Sequence, residues 1–187
     1  MSTMSDFLAT GIRQLAFVVP DVEAAARDHS ALTGSGPFFV MPRYRMAIHE
    51  HRGVPTELDV SSSYGWWGDI MVEFVQMHNE EPSAFRDAFP DGGRGMHHTA
   101  VWVKDLAGAV AAFEEAGYPI TMYAERTPGL GYAMMDTRSA LGFMLELYEE
   151  SIVGPFYKMV RDASIDWDGS DPVRVREFNA FLAGSDE

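Results

Sequence analysis

The chain has 187 residues, 47% of them hydrophobic and 22% charged, which suffices for one domain or two small ones with a buried core. Lysine and arginine number 14 against 28 aspartate and glutamate, and this net charge of −14 argues against a nucleic-acid footprint or docking on anionic lipid. There is no cysteine, so disulfides and thiolate metal sites are excluded.

Met1 to Ala9 lacks a basic segment followed by an apolar core, so no secretory leader is expected there. No apolar run approaches the ~18–20 residues of a spanning helix, and a cytoplasmic location is expected. Ile12 to Val19 reads as a strand, broken at Pro20–Asp21, where Asp21 is a candidate helix N-cap. Val22 to Leu32 reads as an alanine-rich helix ended by Gly34 and Gly36–Pro37. Phe38 to His51 is strand-like, with Pro42 marking an edge or bulge. A turn is predicted at 53–55, a third strand over Thr56 to Ser62, a turn over Gly65 to Gly68 and a fourth strand over Ile70 to Gln76. His78 to Arg94 is a polar connector with a short helix at Ser83 to Ala88. A strand at Thr99 to Val103 and a helix at Leu106 to Ala116 follow. Segments 43–56 and 123–133 match no pattern and are expected as loops shaping a pocket. After Glu150 the apolar spacing of Phe156, Met159, Val160 and Ala163 predicts a helix that packs on the outside or on a partner.

The second half repeats the first. Gln14-Leu-Ala-Phe-Val-Val-Pro-Asp-Val lies over His98-Thr-Ala-Val-Trp-Val-Lys-Asp-Leu without a gap, an offset of 98 − 14 = 84 residues. Both copies lead into an alanine-rich helix and close on a similar strand, Met71-Val-Glu-Phe and Met144-Leu-Glu-Leu. A repeat of this length is a supersecondary unit used twice, here strand–helix–strand–strand–strand.

Strand alternation puts one polar residue of each opening and closing strand on a common face: Gln14, Glu73, His98 and Glu146. Carboxylates buried there need a cation between them. Two Glu, one His and one amide oxygen suit a divalent ion such as Zn, Ni, Co, Mn or Fe. An amide binds metals weakly, so a role for Gln14 behind the ligands is the alternative. His97 points to the opposite face and is expected to be structural, although a one-residue register slip would exchange it with His98. Arg43, Arg45, His49 and His51 share another face, which suits a solvated strand; if it looked inward, Arg43 or Arg45 could hold a substrate anion. Trp102 is expected to face the cup, and Tyr64, Trp66, Trp67, Tyr132, Met134 and Phe38 are material for a pocket wall. No Gly-x-Ser-x-Gly and no Cys nucleophile supports acyl chemistry.

Over about residues 11–150 the duplicated unit resembles the vicinal oxygen chelate superfamily of glyoxalase I, methylmalonyl-CoA epimerase, extradiol dioxygenases and bleomycin-resistance proteins. The Gly95-Met-His-His-Thr-Ala-Val-Trp-Val-Lys-Asp and Phe143-Met-Leu-Glu-Leu-Tyr stretches carry the resemblance. It implies an α+β fold of two βαβββ modules forming a cupped mixed sheet, with helices on the convex side. The expected division is 11–78 and 95–150 for the modules, 79–94 for a connector and 151–187 for a C-terminal helical extension. The resemblance places metal ligands at Gln14, Glu73, His98 and Glu146, the set of animal-type glyoxalase I. It implies one divalent ion, a small-molecule substrate and a homodimer with Phe156, Met159 and Val160 as candidate contacts. The expected activity is a glyoxalase-like isomerase, epimerase or lyase working through a metal-stabilised enolate, with Glu146 as main base and Glu73 as the second. A non-catalytic drug-binding protein and an extradiol-type dioxygenase are the alternatives. The dioxygenase wants a two-His, one-carboxylate site, which Gln14 does not supply.

Overall fold

A computed structural model describes residues 4–8, 10–127 and 129–176 of the chain. The expected C-terminal extension beyond 176 lies outside these residues. A one-turn helix α1 (Met4–Phe7) leads into β1 (Ile12–Val18), α2 (Val22–Thr33) and β2 (Phe38–Arg45). A small hairpin follows, β3 (Ile48–His51) and β4 (Val54–Pro55), and then β5 (Asp59–Trp67) and β6 (Ile70–Met77). After α3 (Ala84–Ala88) the second copy runs β7 (Gly95–Val103), α4 (Leu106–Glu115), β8 (Ile120–Thr127), β9 (Leu130–Met135), α5 (Arg138–Leu141) and β10 (Met144–Glu149). The last described elements are α6 (Glu150–Ser164) and β11 (Val173–Val175).

The repeat is visible at its caps. The Asp21 carboxylate accepts from the backbone N–H of Glu23 and Ala24 at 2.9 Å, and Asp105 accepts from that of Gly108 at 3.0 Å. Each thereby meets orphan donors at a helix start, in the same place of both copies. The strands form one sheet in the order β11-β2-β5-β6-β1-β7-β10-β9-β8-β3-β4. At its centre β1 runs antiparallel to β7, while β6 is parallel to β1 and β10 parallel to β7. The fold is α+β, two βαβββ units making a cupped sheet. On the convex side α2 packs Val22 and Ala26 against Phe38, Val72 and Phe74, and α4 packs Ala109 and Phe113 against Val101, Leu145 and Leu147.

The run expected as one strand over Phe38 to His51 is two. Pro42 marks a bulge as the sequence indicates: the β2–β5 register shifts between Met41 and Tyr44, and Arg43 takes φ 23°. Met46 and Ala47 then leave the ladder, and β3 pairs with β8 on the far margin of the sheet. Two residues carry the chain from β2, near one end of the strand order, to β3, near the other, and the sheet is cupped and open. Segments 43–56 and 123–133, expected as loops, therefore carry strands, and β3 pairs antiparallel with β8 between them. The third strand begins later than Thr56 and runs through Gly65, which does not turn the chain. A Cβ on Gly65 would lie 2.5 Å from the Phe38 ring, so the glycine makes room for an aromatic.

The helix α6 corrects a further expectation. It lies on the concave side, where Tyr157 and Val160 are buried with Phe39 and Met71, and Val153, Phe156 and Met159 pack beside them. Phe156, Met159 and Val160 are thus occupied within the chain and are not a free dimer face. No described helix is long and apolar enough to cross a membrane.

Candidate metal centre

The four central strands set out the concave face as two rows. Strand pairing aligns Met71, Gln14, Ala100 and Glu146 in one row and Glu73, Ala16, His98 and Met144 in the next. The rows interchange under the repeat, Gln14 with His98, Glu73 with Glu146 and Ala16 with Ala100. Polar groups therefore alternate with alanines, and the small side chains leave space into which the long ones converge.

They do converge, and within one chain. Gln14, Glu73, His98 and Glu146 are all buried, none more than 6% exposed. Ligand atoms of Glu73, His98 and Glu146 lie within 4.8 Å of one another, and this is the only such group of His, Asp or Glu among the described residues. His98 Nε2 is 3.3 Å from Glu146 Oε2 and 3.5 Å from Glu73 Oε2. Neither His98 Nε2 nor Glu146 Oε2 makes a hydrogen bond. Two polar atoms without a hydrogen bond that face each other at the base of a cavity suit a cation held by both. The residues fit a divalent ion: one imidazole and two carboxylates, with room for further oxygen donors.

Gln14 stands beside this trio with its amide the other way. Its Nε2 donates to Glu73 Oε2 at 2.7 Å, and its Oε1 accepts from the Tyr157 hydroxyl at 2.6 Å. A carboxylate can only accept when ionised, so the amino end must face Glu73. In this arrangement the Gln14 amide orients the Glu73 carboxylate, and its oxygen is taken up by Tyr157.

His97 does not join the carboxylates, but it is not separate from them. The Ala84 carbonyl, which can only accept, takes a hydrogen bond from His97 Nε2 at 3.1 Å. Burial, and then the charge of His98, lowers the His97 pKa to about 3, so the ring is neutral and its Nδ1 accepts. The partner at 2.8 Å is His98 Nδ1, which must donate. That leaves Nε2 of His98 facing the carboxylates, where it carries a proton when they are its only partners and can ligate a cation when it gives that proton up. Burial opposes a charge on His98, but Glu146 and Glu73 outweigh it and raise its pKa to about 9. Burial also raises the pKa of Glu146.

Above the trio is a cavity of about 480 Å³, the size of a small-molecule site. Tyr64 and Tyr132 line it as expected, with Tyr44, Tyr148 and Arg126. Phe38 instead belongs to the convex core and Trp67 is exposed. Trp102 is on the concave face, but α6 covers it: its ring meets Tyr157 edge-on at 5.2 Å. Arg43 and Arg45 are exposed and pair with Asp59 and Glu57. His49 bonds Thr56, and His51 faces Asp87. None of these four reaches the cavity. Sequence reasoning missed Tyr157, Arg126 and the α6 wall. The Phe156–Tyr157 pair on an amphipathic stripe was the available signal.

The family model for the glyoxalase/bleomycin resistance protein/dioxygenase superfamily matches residues 13–134. Among solved structures, methylmalonyl-CoA epimerase from Mycobacterium tuberculosis is similar at 16% identity and TM-score 0.51, covering 75% of this chain and 87% of its own. A hypothetical protein from Bacillus halodurans C-125 is similar at 16% identity and TM-score 0.53, over 74% and 93%. A methylmalonyl-CoA epimerase in complex with methylmalonyl-CoA and NH4+ is similar at 17% identity and TM-score 0.50, over 76% and 96%. At these identities the likeness is one of fold. No curated protein sequence matches the chain.

Proposed function

Because the chain belongs to the glyoxalase/bleomycin resistance protein/dioxygenase superfamily, we propose that it is a metal-dependent enzyme that enolises a small molecule, as a glyoxalase-like isomerase, epimerase or lyase. The observation that carries this reading is the Glu73, His98 and Glu146 trio, buried beneath the cavity with His98 Nε2 and Glu146 Oε2 unpartnered. These three residues would hold the ion, with Gln14 behind Glu73. A divalent cation there supplies positive charge for the substrate oxygen that gains electrons as the adjacent C–H bond breaks.

The rest is done by the chain itself. The Glu146 carboxylate accepts the proton, and the bonding pair moves toward the substrate carbonyl. Burial makes Glu146 a stronger base than an exposed carboxylate, and the proton would go to whichever of its oxygens the ion leaves free. Glu73 is the second base, held by Gln14 and entering from the other module. Two carboxylates related by the repeat suit delivery of a proton to the opposite face of the carbon, as an epimerase requires. The tyrosine wall and α6 keep bulk water from the cup. An epimerase is the member of this class to try first, since epimerases are among the similar folds. The dioxygenase reading loses support because His97, the other nearby histidine, is committed to Ala84 and His98. The homodimer expected of the family stays part of the proposal, with contacts other than Phe156, Met159 and Val160, and so does a cytoplasmic location.

The test starts from a screen of enolisable thioesters and hemithioacetals, read as solvent deuterium entering the substrate carbon. Exchange is expected to vanish in Glu146→Gln while metal stays bound. A variant that keeps its metal and exchanges at the parent rate would reduce Glu146 to a ligand. Loss of exchange in Glu73→Gln alone would reverse the two roles.

A further inference from the structure

Helix α6 begins after residues 13–134, which match the family model, and belongs to neither βαβββ unit. It nevertheless builds one side of the cavity. Its apolar residues fall in two adjacent stripes at helical spacing. Val153, Tyr157 and Val160 form the first. Tyr157 and Val160 are buried with Phe39 and Met71, and the Tyr157 hydroxyl donates to Gln14 Oε1, so this stripe seats the helix. Ile152, Phe156 and Met159 form the second. All three line the cavity, and none is fully buried. The Phe156 ring meets Tyr64 of β5 edge-on at 4.9 Å, which joins the helix to the opposite wall.

That wall is of the same kind. Met41, Met46, Leu58, Val60 and Phe85 line it. Its polar groups are largely committed to one another. The hydroxyls of Tyr44 and Ser62 share a hydrogen bond at 2.8 Å, and the rings of Tyr132 and Tyr148 lie 4.9 Å apart. Arg126 is the only Lys or Arg among the described residues lining the cavity. It stacks on Tyr44, reaches the Met41 sulfur and is engaged beyond these two contacts. The cavity is therefore polar at its floor, where Glu73, His98 and Glu146 meet, and mainly carbon and sulfur above it. At interior packing density its volume of about 480 Å³ holds roughly ten to twenty non-hydrogen atoms. A coenzyme A tail far exceeds that space. A glutathione tail would bury carboxylates and an ammonium against apolar side chains, which is costly.

We propose that α6 sets the substrate class, a compact and mainly apolar molecule without a nucleotide or peptide tail, and that Ile152, Phe156 and Met159 are its specificity-determining contacts. The apolar body lies against this stripe, where leaving water favours it, and the oxygen-bearing, enolisable end turns to Glu146. The orientation rests on the enolisation reading; the apolar seat is tested without it.

Three thioesters carry the test: phenylacetyl and acetyl as S-methyl thioesters, and phenylacetyl as its coenzyme A thioester. Binding to protein without added metal is read by displacement of N-phenyl-1-naphthylamine, an uncharged dye that fluoresces in apolar surroundings. The S-methyl phenylacetyl ester is expected to displace the dye at a tenfold lower concentration than either of the others. In Ile152→Trp, and in Met159→Trp as the second variant, the added ring takes the place of the body. The dye and this ester are then expected to bind at least tenfold more weakly, with Zn uptake as in the parent. A dye that does not bind the parent, binding unchanged in both variants, or a coenzyme A thioester that binds as well as the S-methyl ester overturns the proposal. Solvent deuterium entering the phenylacetyl methylene of Zn-loaded protein mixtures reads the chemistry separately. Binding that depends on Ile152 and Met159, with no exchange in any thioester, leaves the seat standing and the enolisation reading fallen. Exchange that proceeds equally in the coenzyme A and S-methyl thioesters leaves enolisation standing and overturns the compact substrate class.

Discussion

Ala16 and Ala100 each sit between two members of the polar cluster, Ala16 between Glu73 and His98, Ala100 between Gln14 and Glu146. Neither has any exposed surface. Only a methyl group fits where four long side chains lean together. Replacing Ala100 by Val adds volume to a packed region and is expected to cost about 1–3 kcal/mol. The same change pushes Glu146 from His98. Denaturant unfolding should show the stability loss, and metal titration at least a tenfold loss of affinity; unchanged metal binding would mean that Ala100 is not a spacer of this site. The alternation that finds the four polar residues also places the alanines, and this part of the site was legible in the sequence. The tautomer of His98 was not, because it depends on Ala84, whose carbonyl comes from the connector and reaches the site only through His97.

At the scale of elements, α6 and the β3–β4 hairpin are what the repeat alone does not contain. The Tyr157 hydroxyl ties α6 to the candidate metal centre through Gln14 and then Glu73. Tyr157→Phe leaves Gln14 Oε1 buried without its donor, at a cost of about 1–3 kcal/mol. Calorimetric unfolding is expected to show that loss, with weaker metal binding beside it. An equal loss of stability with metal binding untouched would make α6 a cover only. The hairpin is held by charge. Arg52, in its turn, pairs with Asp87 of α3 at 2.6 Å and with Asp136 after β9 at 3.4 Å, and Arg138 pairs with Asp136 at 2.8 Å. Hydrogen bonding from Arg138, helped by its charge and by Arg52, holds Asp136 at a pKa of about 2 against the ordinary 3.8. A lowered carboxylate pKa contributes stability above pH 3.8 that is lost as the pH falls through about 2. The group is partly solvated, so a contribution of about 1 kcal/mol is expected after screening. Asp136→Asn should therefore lower stability at pH 6 and make no difference at pH 2, measured by urea unfolding at both.

For the whole molecule, Glu73, His98 and Glu146 converge within one chain. One divalent ion per chain is expected whatever the state of association, counted by elemental analysis after loading with Zn, Ni, Co or Mn. Binding to the folded state alone stabilises it by about 2.7 kcal/mol at a hundredfold excess over the dissociation constant. For a chain of this size that is a rise of about 5–10 °C in Tm. His98→Ala should abolish both the stoichiometry and the rise. A parent protein that takes up no metal after all four loadings would leave the non-catalytic binding protein as the better account.

The sequence by itself determined the duplicated unit, its helix caps and the face on which Gln14, Glu73, His98 and Glu146 lie. These rest on local periodicity, on residue types that cap or break, and on a repeat 84 residues apart, all of which are written in neighbouring positions. The tertiary structure decided the rest. Gln14 reads as a ligand in sequence, but its amide direction depends on Tyr157, 143 residues away. Arg43 and Arg45 read in sequence as a solvated strand that would hold a substrate anion only if it faced inward, and a bulge at Pro42–Arg43 turns them outward to acidic partners. The cation lining the cavity is Arg126, which β8 brings over the Tyr44 ring of β2. Helix α6 carries an apolar stripe that suits a partner or a core equally well; only the open cup beside it settled which surface it covers. A side chain's alternation along a strand is a local property of the backbone, whereas what closes over it is a matter of long-range packing that no stretch of sequence contains.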